Sequence, residues 1–264
     1  MALTGSRRRS IDRAAGAAGW RPGSGWAALV VGFVLVVAGR SIIGDGRDPR
    51  LAVVADEIVL TVVPIAVVVL LARWQGDFAA ADFGLRRPPL LRAAALVMAT
   101  GVALFALTVL SVVAFGLGDE APDAIDRLAA HGPPNALLVI VLVAVAAPLG
   151  EEFLFRGFLF RVLRNRWRVA PAALVSSAVF MAFHIGWVPP VVLVLAGTLG
   201  VGTCLLYHWT GSLYPGLVLH ALLNSSSIGT VPAWSWPLPL TMTASVVVTL
   251  AAAGLIARLL GPAG

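Results

Sequence analysis

The 264-residue sequence has no lysine, a single cysteine (Cys204), two tyrosines and only 12% charged residues. One cysteine excludes a disulfide scaffold, and 27 glycines without a regular period exclude a collagen-like repeat. Scarcity of charge beside abundant apolar residues excludes disorder. It also excludes an ordinary soluble domain, which carries about 25% charged and about 45–50% apolar residues. Here 59% are apolar and the mean hydropathy is +0.93. Too few polar residues are present to coat a soluble fold of this length. An all-α, polytopic membrane bundle remains. At about 20 residues per span, the length accommodates about eight transmembrane helices.

The net charge of +6 and pI near 11.1 come from 19 arginines scattered between apolar runs. No basic stripe of the kind that binds nucleic acid is present. Apolar segments at 26–44, 51–73, 91–116, 135–163, 169–187, 190–209, 212–228 and 237–260 read as spans. Residues 1–25 form a polar, Arg-rich tail (Arg7, Arg8, Arg9, Arg13, Arg21), and 26–264 a single membrane domain. The later spans favour an uncleaved first anchor over a signal peptide. Fifteen of the 19 arginines fall in the tail, in 73–92, in 156–168 and at Arg258, all on one side of an eight-span topology. The positive-inside rule then expects both termini in the cytoplasm. Each of the eight tryptophans lies at or near a span end, where indoles prefer to sit.

An ionisable side chain inside the hydrocarbon costs a few kcal/mol, about +2.5–3.5 on insertion scales, so each is a functional candidate. Glu151, Glu152 and Arg156 lie in the fourth segment, His184 in the fifth, and His220 with Asn224 in the seventh. Asp56 and Glu57, near the outer end of the second, read as interfacial. Glu152 and Arg156 stand at i and i+4 with the acid first, the favourable order for a structural ion pair. Glu151 has Phe155 at i+4 and needs a partner elsewhere. Segments four and five form a hairpin about the basic turn at Arg164–Arg168, and Glu151 and His184 are equally far from its middle. Equal distance means roughly equal depth, so the two are expected to face each other, with Phe180 one turn from His184 and packed on the same helix pair. His131 and His208 read as solvated.

One carboxylate and two imidazoles suffice to deprotonate a water for attack on a carbonyl, while Asn224 and a His N–H can donate to the resulting oxyanion. Glu151, His184 and His220 equally match the ligand set of a catalytic zinc. The residues leave both readings open, and both lead to peptide hydrolysis within the membrane. Other designs are poorly served: there is no H-E-x-x-H, Gly211-Ser212 is no nucleophile elbow, Asp56 lacks a second aspartate, and Cys204 lacks a charged neighbour in sequence.

Glu151-Glu152-Phe153-Leu154-Phe155-Arg156, Phe180-Met181-Ala182-Phe183-His184 and His220-Ala221-Leu222-Leu223-Asn224 fit E-E-x-x-x-R, F-x-x-x-H and H-x-x-x-N in order. In this order on separate spans they resemble the CPBP family of CAAX proteases and bacteriocin-processing (Abi) intramembrane proteases, with a catalytic core at about 145–228. Phe83-Gly84-Leu85-Arg86-Arg87-Pro88 is similar to a leader upstream of it in many members. The resemblance implies an eight-helix bundle, with Glu151 as general base and His184 aiding water activation. It also implies His220 and Asn224 as oxyanion donors, Glu152 and Arg156 as architecture, and a membrane-associated or C-terminal peptide as substrate. Zinc stays open as a cofactor. Two other classes carry the same residues: a non-catalytic immunity or scaffold protein of this fold, and a small proton-coupled transporter. The Ala-, Val- and Arg-rich, lysine-free composition fits the plasma membrane of a prokaryotic cell.

Overall fold

The computed structural model describes residues 49–116, 137–185, 188, 190–228 and 237–261, together with 20, 23, 27 and 31. The expected first span at 26–44, the tail and the loop carrying His131 lie outside the described residues apart from these isolated positions. The side chains of Asp56 and Glu57 also lie outside.

Among the described residues every regular element is helical. Helices α1 (Pro49–Gln75) and α2 (Leu90–Phe115) are joined through a short 3₁₀ turn, Ala80–Phe83. α3 runs over Leu137–Arg164, α4 over Val169–Ala182 and α5 over Pro190–Thr210. α6 covers Tyr214–Ile228 and α7 Leu238–Leu260. Four of these, α2, α3, α5 and α7, are long and apolar enough to cross a membrane, and the protein is an integral membrane protein. Eight full spans are not confirmed. The segment expected at 169–187 yields a helix of only 14 residues, about 21 Å at 1.5 Å per residue and short of a hydrocarbon core about 30 Å thick. The segment expected at 212–228 is helical over Tyr214–Ile228.

α3 is the axis of the bundle, touched by α1, α4, α5, α6 and α7. Its 153–160 stretch is buried throughout, including Phe153, Phe155, Phe158 and Phe160. α2 is the opposite case: it is apolar all round and exposes Leu91, Met98, Phe105 and Val113, as a lipid-facing helix should. It leans on α5 through Thr100 and Leu104, which meet Gly202. α4 and α5 approach closely where Gly200 faces Ser177, the small-residue contact that membrane helices use in place of hydrophobic driving force. Trp20, read from sequence as an interfacial indole, is instead buried against Phe83 and Phe158, with ring centroids at 4.8 and 4.9 Å. Trp74, Trp167 and Trp209 are exposed at helix ends.

α3 is not a uniform α-helix. Residues Ile140–Ala146 and Phe153–Phe160 have π geometry and flank the α-helical turn Ala147–Glu152. The wider turns present carbonyls to neighbouring helices, and side chains answer them. Asn224 Nδ2 donates to the Val143 carbonyl at 2.8 Å, Thr249 Oγ1 to that of Ala144 at 3.4 Å, and Ser176 Oγ to that of Phe155 at 3.1 Å. In lipid such carbonyls need a protein partner, because no water is at hand.

Candidate active site

Glu151 and Glu152 close the α-helical turn between the two π stretches of α3, a position where π geometry recurrently marks function. Successive helical positions diverge by about 100°, so the two carboxylates point to different neighbours. Glu151 is partly open, with 19% of its side chain exposed, whereas Glu152 is fully buried.

Glu151 Oε1 lies 3.8 Å from His184 Nε2, so the depth match expected from the hairpin is present. Its other oxygen, Oε2, lies 3.4 Å from His220 Nε2. His184 sits just beyond the last residue of α4, and its Nδ1 is 2.9 Å from the Phe180 carbonyl. A carbonyl only accepts, so Nδ1–H donates and Nε2 faces Glu151. His220, on α6, bridges the acidic pair: its Nδ1 is 3.0 Å from Glu152 Oε1 while its Nε2 addresses Glu151. The Nδ1–H therefore donates to Glu152, which fixes the ring's orientation much as an outer carboxylate fixes a metal-bound histidine.

Behind this pair the expected Glu152–Arg156 bridge is present, at 3.1 Å and fully buried. The Arg156 guanidinium also lies over the Phe180 ring, 4.5 Å from its centroid. That ring meets His184 edge-on at 4.8 Å and His220 at 6.0 Å. Phe180 is thus the common wall of the site, in contact with both imidazoles and the guanidinium. Gly216, one turn before His220, lies over Glu152, where a side chain would collide with Oε2.

The structure brings Glu151, Glu152, Arg156, Phe180, His184 and His220 together. Asn224 is one turn beyond His220 on α6, with its amide turned to the Val143 carbonyl. Three features have no sequence signal: the Glu152–His220 bond, the Gly216 contact and the π geometry. Glu152 has its obvious partner at i+4, and nothing in spacing announces a second one from another helix.

Among the described residues no group of three or more His, Cys, Asp or Glu side chains is arranged to hold a metal ion. The two Glu151 oxygens face different imidazoles, Oε1 that of His184 and Oε2 that of His220.

Residues 133–226 match a family model described as type II CAAX prenyl endopeptidase Rce1-like. Over this segment the chain is similar to CAAX prenyl endopeptidases. It contains all three motifs, and the expected resemblance to CAAX proteases holds over these residues. An Escherichia coli protein described as an uncharacterized 24.3 kDa protein is 40% identical over 53 residues, 19% of this chain and 24% of that protein. The chain thus aligns with about a quarter of that relative's length. No solved structure matches the chain.

Proposed function

We propose that the protein is an intramembrane endopeptidase that cleaves a peptide bond in a membrane-associated or C-terminal peptide. The observation that carries this reading is one carboxylate, Glu151, addressed by the Nε2 atoms of two histidines at 3.8 and 3.4 Å within the segment that matches the CAAX prenyl endopeptidase model.

In this reading a water sits between Glu151 and His184 and donates one hydrogen to each. Glu151 accepts a proton as the water oxygen attacks the substrate carbonyl, and His184 Nε2 holds the nucleophile in line. Negative charge develops on the former carbonyl oxygen, where His220 donates Nε2–H and Asn224 its amide. Collapse of the tetrahedral intermediate breaks the C–N bond, and Glu151 returns its proton to the leaving amine. Behind the reacting groups the buried Glu152 carboxylate is paired with the Arg156 guanidinium. Such pairing suits a medium in which an uncompensated charge is costly. In this reading both termini face the cytoplasm, as the arginine distribution in the sequence suggests, and the Arg-bearing helix ends meet anionic lipid headgroups.

The test is cleavage of prenylated and unprenylated C-terminal peptides by the purified full chain in nanodiscs. Glu151→Gln is expected to lower kcat by about 10²–10⁴-fold with the helical signal unchanged. Turnover at the wild-type rate in that variant overturns the assignment.

A further inference from the structure

The segment Phe83–Pro88, from the end of the 3₁₀ turn to α2, is far in sequence from every residue of the site, yet it touches two of the three helices that build it, α3 and α6. On one side Phe83, fully buried, stacks on Phe153 with centroids 4.6 Å apart, directly beside Glu152. On the other side the loop grips the turn that starts α6. Arg86 Nε donates to the Gly211 carbonyl at 2.6 Å, across 125 residues of sequence. Ser212 Oγ donates to the Arg86 carbonyl at 2.7 Å, and Leu213 N–H to the Gly84 carbonyl at 2.8 Å. Ser212 Oγ also accepts from Tyr214 N–H, capping the new helix. Gly84 and Gly211 both have left-handed backbones, with φ of 84° and 65°. A Cβ on Gly84 would strike the Tyr207 ring and one on Gly211 the Arg86 guanidinium, so neither loop can back away to admit a side chain.

α6 then carries Gly216 over Glu152 and places His220 on it, eight residues and about 12 Å beyond Ser212. Slipping α6 by one residue turns it by about 100° and takes the imidazole off both carboxylates. The bonds at Ser212 and Leu213 set the register of α6 at its start.

We propose that Arg86, with Ser212, is a positioning element: it locks the register of α6 to α3 and thereby seats His220 on Glu152. Arg86 lies at the far end of α6 from the site, so it acts through the helix it holds.

The direct test is the ¹⁵N spectrum of the His220 imidazole in the full chain, labelled at histidine, reconstituted in nanodiscs and assigned by His220→Gln. Arg86→Ala is expected to move the Nδ1 signal away from its carboxylate-bonded position with little change in Tm. Arg86→Lys, which retains a donor, is expected to restore it in large part, and Arg92→Ala, an exposed arginine on α2, to leave it in place. Where cleavage is measurable, kcat falls about 10–100-fold in Arg86→Ala with KM unchanged. Should Arg86→Ala not fold, Ser212→Ala removes a single bond of the clip and is expected to shift the same signal. An unmoved His220 spectrum in Arg86→Ala or Ser212→Ala overturns the proposal. The kinetic arm rests on the proteolytic reading. A wild-type chain that cleaves no peptide refutes that reading, while the spectrum decides the role of Arg86 separately.

Discussion

Gly216→Ala adds one methyl group to α6 where that helix crosses Glu152. The new Cβ would lie 2.9 Å from Glu152 Oε2 and 3.5 Å from Thr203 Cβ. The end of a carboxylate side chain usually swings aside at small cost. This one is fully enclosed, and its other oxygen is held by His220 Nδ1 at 3.0 Å and Arg156 Nη1 at 3.1 Å. Relief therefore comes from a shift of the carboxylate or of α6, and either one strains the bond that orients His220. For stability two terms oppose. Alanine in a helix interior gains about 1 kcal/mol over glycine, and overpacking costs about 1–3 kcal/mol. The net change is within about 2 kcal/mol, a shift of a few degrees in Tm. Turnover is more exposed, because a displacement of about 1 Å in a catalytic group costs on the order of 10²-fold. Peptide cleavage and thermal unfolding in the same detergent are to be compared with Gly254→Ala on α7, where an added Cβ meets nothing within 4 Å. Gly254→Ala should keep wild-type turnover and gain slightly in Tm. Wild-type turnover in Gly216→Ala would refute the claim that the Glu152–His220 bond governs the site.

Glu152→Ala leaves Arg156 buried without its carboxylate and is expected to cost about 3–5 kcal/mol in unfolding experiments. The double variant Glu152→Leu, Arg156→Leu should recover most of that stability while turnover stays lost. Phe180→Leu removes the ring under Arg156 and the edge contacts to both histidines. It is expected to cost about 2 kcal/mol for the desolvated cation–π contact alone, with a drop in kcat measurable beside the Tm. Ser176→Ala deprives the Phe155 carbonyl of its donor and should lower stability by about 1 kcal/mol, as other interhelical hydrogen bonds in membranes do, with turnover retained.

The site was legible in sequence because the membrane makes charge conspicuous. Glu151, His184 and His220 stand out against apolar runs, and the hairpin arithmetic about Arg164–Arg168 places Glu151 opposite His184 as found at 3.8 Å. That argument works only for helices joined by a short turn. It has no purchase on α3 and α6, which meet through long connections, so the bond from His220 to Glu152 was invisible and Glu152 read as half of a local pair. The length of α4 was overestimated for a related reason. Hydropathy counts apolar residues in loops and helices alike, and cannot tell that the helix around His184 stops at Ala182. The π stretches of α3 leave no trace in composition, since 140–146 and 153–160 are as apolar as any α-helical span.

The short helix α4 has a consequence for the lipid around it. Beside α2, at about 39 Å, it presents about 21 Å, with Leu174 exposed, to a hydrocarbon layer about 30 Å thick. A bilayer meeting that uneven profile must thin near the end of this helix or let water fill the difference. His184, beyond the end of α4 and with 24% of its side chain exposed, lies at such a place. Acyl-chain length thus becomes a control variable for this protein: thinner membranes match the profile at α4, and thicker ones press lipid tails toward His184 and Glu151.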